Sequence, residues 1–175
     1  MQNTPKGLRL QIGIFGRRNA GKSSLLNALA RQDVAIVSET PGTTADPVEK
    51  AMEMLPLGPV LLIDTAGLDD DAALIGGLRV EKSRKIFERA DIALIVSDAS
   101  WGAFEEKLLS DFAERGTAVI AVFNKTDVAF PPQNVLDSLR ERSVSFVMVS
   151  AGKGEGLGEL REMILRKAPE DGMSW

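Results

Sequence analysis

The chain contains no cysteine and no histidine. It therefore offers neither thiolate nor imidazole ligands for zinc, haem or an iron–sulfur cluster, and no His base or Cys nucleophile for catalysis. Tyrosine is absent too, and aromatic residues make up only 5% of the sequence. No apolar run approaches the roughly 18 residues that a membrane span requires. The amino terminus MQNTPKGLRL lacks the apolar segment of a secretory signal, so a cytoplasmic location is expected. The 21 basic and 25 acidic residues are interleaved and leave a net charge of −4, which argues against a large nucleic-acid footprint within this chain.

What is present is ordinary globular material, 175 residues long and 44% hydrophobic, enough to bury one real core. Five short apolar runs stand out: LQIGIF (10–15), PVLLI (59–63), IALIV (92–96), AVIAVF (118–123) and VSFVMV (144–149). Strands that are apolar along their whole length are buried on both faces, as in a parallel sheet covered by helices. Leu25, Leu26 and Leu29, then Val80 and Phe87, then Phe104, Leu108 and Phe112, and finally Leu157, Leu160 and Ile164 recur at helical spacing. VEKAMEML (48–55) alternates weakly and reads as an edge strand. The order becomes β-α-β-β-α-β-α-β-α-β-α, an open doubly wound sheet with one antiparallel edge. Residues 1–168 are read as one domain, and the polar tail PEDGMSW (169–175) as the start of a linker.

GRRNAGKS (16–23) lies between a strand and a helix, the context in which a glycine-rich pattern becomes a phosphate loop. Gly16 and Gly21 allow close backbone approach. The amides from Arg17 through Ser24, with Asn19 and Ala20 among them, face the phosphates at a helix amino terminus. Lys22 is expected to reach the β- and γ-phosphate oxygens, and Ser23 to ligate Mg²⁺. The plain alternative is a Gly-rich turn that opens a helix.

NKTD (124–127) follows the strand AVIAVF. Asp127 can accept from the N1–H and N2–H₂ of guanine together, a donor pair adenine lacks, so GTP or GDP is expected over ATP. Asn124 would tie this loop to the phosphate loop, and the Lys125 stem would cover the base. SAG (Ser150, Ala151, Gly152) supplies the Ala151 amide for the guanine carbonyl. The alternative is a surface turn.

DTAG (64–67) ends the strand PVLLI, placing Asp64 to hold Mg²⁺ through water and the Gly67 amide to sense the γ-phosphate. In ETPGTTAD (39–46), Thr44 is the candidate third Mg²⁺ ligand, with Thr43 the alternative by a one-residue slip. Loss of the γ-phosphate would release both segments. Many GTPases carry a glutamine after the DxxG glycine to orient the attacking water. Here that residue is Leu68, and no glutamine lies between Gln32 and Gln133.

Asn19 with Leu68 resembles the potassium-activated GTPases of the TrmE–Era–EngA group, where GxxNxGKS accompanies a hydrophobic residue after DxxG. The resemblance implies a Ras-like P-loop NTPase fold with a six-stranded, mostly parallel sheet. It also implies a K⁺ held by Asn19 against the phosphates, and a cation site completed as two G domains meet. A structural asparagine capping a turn is the alternative. Relatives of the TrmE type use a switch glutamate, yet no glutamate lies between Glu53 and Glu81, and Asp69, Asp70 and Asp71 are the only acidic stand-ins.

A narrower resemblance rests on TTADPV (43–48), PLGPV (56–60) running into DTAG, LDD (68–70) and LRVEK (78–82). This stretch is similar to the FeFe-hydrogenase maturation GTPases of the HydF family. It implies the GTP-hydrolysing regulatory domain of a maturation scaffold that works with radical-SAM maturases and the hydrogenase. Downstream dimerisation and cluster-binding domains are then expected, with no iron–sulfur cluster on this chain and no nucleic acid or membrane partner. One alternative is an RNA-directed GTPase acting in tRNA modification or ribosome assembly. Another is a nucleotide-binding module that scarcely hydrolyses.

Overall fold

A computed structural model describes residues 10–17, 20–32, 48–54, 58–64, 88–126 and 128–168, with only the backbone of Arg31, Gln32 and Val48. Its six strands are β1 (Leu10–Gly16), β2 (Val48–Met54), β3 (Gly58–Asp64), β4 (Ile92–Ser97), β5 (Ala118–Phe123) and β6 (Ser145–Met148). They form one sheet in the order β2-β3-β1-β4-β5-β6. All neighbours are parallel except β2, which runs antiparallel to β3 from Val48 opposite Asp64 to Met54 opposite Gly58. Each apolar run read from the sequence is a strand, and the weakly alternating segment is the antiparallel edge, as expected.

Four helices cover the sheet among the described residues: α1 (Lys22–Gln32), α2 (Ala103–Arg115), α3 (Gln133–Glu141) and α4 (Leu157–Lys167). Strand residues alternate between two faces, so the sheet feeds two separate cores. Ile12, Ile14, Leu62, Leu94 and Val122 pack with Leu25 and Leu29 of α1 and with Leu160 and Ile164 of α4. On the other face Phe15, Ile95, Ala121 and Phe123 pack with Leu108 and Phe112 of α2 and with Leu136 and Leu139 of α3. Phe15 meets Phe112 edge-on, with ring centroids 4.9 Å apart, a geometry that suits the aromatic quadrupole. Phe104, read as part of the α2 stripe, is only partly buried against this core. Helix α2 stops where Gly116 adopts φ +71 and donates its N–H back to Ala113, the left-handed cap glycine provides cheaply.

The stripe carrying Val80 and Phe87, and the tail 169–175, lie outside the described residues. The chain leaves β1 for β3 on one side of the sheet and later reaches β4 on the other. The carboxyl end of β1 is thus the point where the strand order reverses, and ligands of open α/β sheets bind at such a point.

Candidate functional site

Strand β1 ends at Gly16, whose φ of +152 is left-handed and whose added Cβ would land on the Val96 carbonyl of β4. Gly21, at φ +91, leaves no more room, because a Cβ there would run into Asn124 Nδ2. Only glycine satisfies both the angle and the space. The Ala20 N–H donates to the Arg17 carbonyl at 3.1 Å. Helix α1 begins at Lys22 with no acidic residue in its first turn, so the positive end of its dipole is left for an anion.

Lys22 is 2% exposed although it carries an ammonium group. Its Nζ donates to the carbonyls of Gly16 at 2.5 Å and Arg17 at 2.7 Å. The lysine is thereby folded back over the loop that precedes it. Ser23 Oγ donates to Asp64 Oδ2 at 2.7 Å, across 41 positions of sequence. The two expected Mg²⁺ ligands therefore meet. A hydroxyl and a carboxylate at this separation, both hard oxygen donors, suit Mg²⁺ far better than a soft metal. Ser24, one residue on, is exposed on α1.

The base-side loops are joined by Asn124, which is 2% exposed. Its Nδ2 donates to the Ala20 carbonyl at 3.1 Å, and its Oδ1 accepts from Lys125 N at 2.8 Å and Ala151 N at 3.0 Å. One side chain thus clasps the phosphate loop, its own loop and the segment after β6. The tie from Asn124 to the phosphate loop matches the sequence reading. The Ala151 amide was expected to meet the guanine carbonyl, and here it braces Asn124. Lys125 takes φ +61, a left-handed angle uncommon outside glycine and typical of functional loops. Thr126 is held by a bond from its Oγ1 to the Val149 carbonyl at 2.9 Å. Ser150 is buried, whereas Gly152 is exposed.

Arg17 is exposed, yet its side chain is tied down. Its Nε donates to Glu105 Oε2 at 3.0 Å, and its guanidinium lies 5.6 Å from the Phe104 ring centre. The pair spans 88 positions and has no sequence signal, so pattern reading missed it. Arg18, Asn19, Thr43, Thr44, Gly67, Leu68, Asp69, Asp70, Asp71 and Asp127 lie outside the described residues.

Away from this pole, Glu106 and Arg142 form a two-pronged pair at 2.7 and 2.8 Å, and Trp101 Nε1 donates to the same carboxylate at 2.6 Å. Hydrogen bonding to Arg142 lowers the Glu106 pKa, with the Trp101 bond adding to the effect. None of the helices among the described residues is long and apolar enough to cross a membrane.

The comparisons agree with this geometry. A family profile described as "50S ribosome-binding GTPase" matches residues 11–125. The tRNA modification GTPase MnmE of Heliobacterium modesticaldum is 40% identical over 169 residues, covering 93% of this chain and 35% of that protein. MnmE of Aquifex aeolicus is 38% identical over 160 residues, covering 90% and 34%. The chain thus spans about a third of the length of these curated relatives, which are named for tRNA modification and not for hydrogenase maturation. Among solved structures, Aquifex aeolicus Era bound to GDP and AlF4− superposes with a TM-score of 0.71 at 30% identity, over 91% of this chain and 57% of that one. The G domain of the T. maritima FeoB iron transporter gives 0.69 at 26% identity, over 92% and 99%. The fold is that of Ras-like P-loop GTPases, and the chain belongs to the 50S ribosome-binding GTPase family as a GTP-binding G domain of the TrmE/Era/EngA type.

Proposed function

We propose that residues 1–168 work as a slow, Mg²⁺-dependent GTP switch within a larger cytoplasmic protein, helped by a monovalent cation at Asn19. The contact of Ser23 with Asp64 beside the buried Lys22 carries this reading. Mg²⁺ held there would supply positive charge to offset the charge that develops on the phosphate oxygens. Ser23 and Asp64 would hold it, with Thr44 or Thr43 completing the set. Lys22, oriented by two carbonyls, neutralises the same oxygens, and Asn124 keeps the base loops in register with the phosphate loop. Asp127 would select guanine. The missing switch glutamine points to slow turnover on the chain's own resources.

Steady-state phosphate release from GTP, in KCl against NaCl at equal ionic strength and several protein concentrations, tests this. Stimulation by potassium that Asn19→Ala abolishes is the expected result. A rate per molecule that rises with concentration would add pairing of G domains. Equal rates in both salts would refute the cation assignment, and ATP competing as well as GTP would refute the guanine site.

For the whole protein, the relatives favour a tRNA-modification GTPase of the MnmE type. A second reading, the switch domain of a FeFe-hydrogenase maturation scaffold with its maturase partners, is kept by the stretch 41–84 and by the absence of glutamate between Glu53 and Glu81. The net charge of −4 also suits it better than RNA contact. Salt-titrated tRNA binding separates the two: tight, steeply salt-dependent binding supports the first, and its absence the second.

A further inference from the structure

Glu105 is 1% exposed, and the hydrolytic scheme above does not use it. A buried carboxylate is costly unless donors and a cation meet it. Here the Gly102 N–H reaches Oε1 at 2.8 Å and Arg17 Nε reaches Oε2 at 3.0 Å. Gly102 caps α2 and Glu105 stands at its third position, so one end of the carboxylate finishes the helix. The other end is spent on the phosphate loop.

Arg17 is an unusual place to spend it. Its carbonyl accepts two bonds at once, from the Ala20 N–H that closes the loop turn and from Lys22 Nζ. Whatever fixes the Arg17 residue therefore fixes both the loop's curvature and the direction of the lysine. The Arg17 side chain is 54% exposed, which for an ordinary surface pair would mean a weak tie. Its partner is buried, however, and losing the arginine would strand a carboxylate inside the fold. The Phe104 ring under the guanidinium and the Phe15–Phe112 contact two residues upstream anchor the same junction.

We propose that Glu105 is a positioning residue for GTP, acting through Arg17 to aim Lys22 at the β- and γ-phosphates. The proposal rests on the phosphate-loop reading of residues 16–23. It makes the amino end of α2 part of the nucleotide site without touching the nucleotide.

The test is a set of fluorescent GTP-analogue affinities and steady-state kcat values for Arg17→Met, Glu105→Gln, the double variant, and each in a Lys22→Met background. Arg17→Met keeps the stem over Phe104 and guards against a Glu105 variant that folds poorly. Each single variant should weaken binding and lower kcat by about tenfold, and the double should be no worse than either, because the two act as one unit. In the Lys22→Met background neither should have a further effect, an outcome a merely structural role would not produce. Wild-type affinity and kcat in Arg17→Met would overturn the proposal. So would losses that add in the double or persist without Lys22. Failure of the wild type to bind the analogue would instead sink the phosphate-loop reading, and the positioning role with it.

Discussion

Replacing Asn124 with alanine removes a single amide that belongs to three loops at once. The bonds lost run to the Ala20 carbonyl, the Lys125 amide and the Ala151 amide, at 2.8–3.1 Å. Ala20 and Ala151 are themselves buried, so water cannot readily replace the missing partner. At about 1 kcal/mol net for each bond, the loss is about 3 kcal/mol, with stranded buried groups pushing it upward. These bonds run between groups of the protein itself, so the loss should appear as reduced thermal stability. For a domain of this size the expected fall in Tm is about 6–12 °C. The assay is a thermal melt with and without excess GDP, paired with fluorescent GDP affinity. Nucleotide should restore only part of the lost stability, because the loops must be gathered at each binding event. A fall below about 2 °C with unchanged affinity would refute the view that Asn124 is the clasp of the site.

Other outcomes follow from the same geometry. Lys22→Met should reduce kcat by roughly 10²–10³-fold, the loss seen when a preorganised transition-state donor is removed, as read by phosphate release at saturating GTP. Phe112→Ala should cost about 3–5 kcal/mol in denaturant unfolding, since it empties the space beside Phe15. The Glu106 carboxyl is held below its usual value near 4.5, so its contribution is present above that value and lost as pH falls through the lowered folded-state value. Glu106→Gln should therefore flatten the acid limb of the stability profile, by only roughly 0.2–0.5 kcal/mol because both partners are about two-fifths exposed.

The strands were legible because burial on both faces leaves near-continuous apolar runs, and LQIGIF or AVIAVF can hardly be anything else in a chain of this composition. The edge strand was legible for the opposite reason, since VEKAMEM keeps charge where one side meets solvent. Helix α3 showed itself only through the element order. Leu136 and Leu139 are its two buried residues, too few to declare a stripe. Local motifs named Lys22, Ser23, Asp64 and Asn124, and the structure brings them to one pole because parallel strands deliver their carboxyl ends to the same side. What could not be read was anything that depends on which neighbours the sheet order makes. The bond from Arg17 to Glu105 exists only because β1 lies beside β4, whose following loop leads into α2.

The sheet's two margins also limit how copies of this domain could associate. Strand β2 carries Glu49, Lys50 and Glu53, with Lys50 bonded to Asn27 of α1 and Glu49 beside Arg89. The opposite margin, β6, is only four residues long. A charged border on one side and a stub on the other discourage a neighbour from adding a strand. Growth into fibrils or continuous sheets is thereby resisted at both margins, so any association of copies falls to side chains and not to backbone pairing.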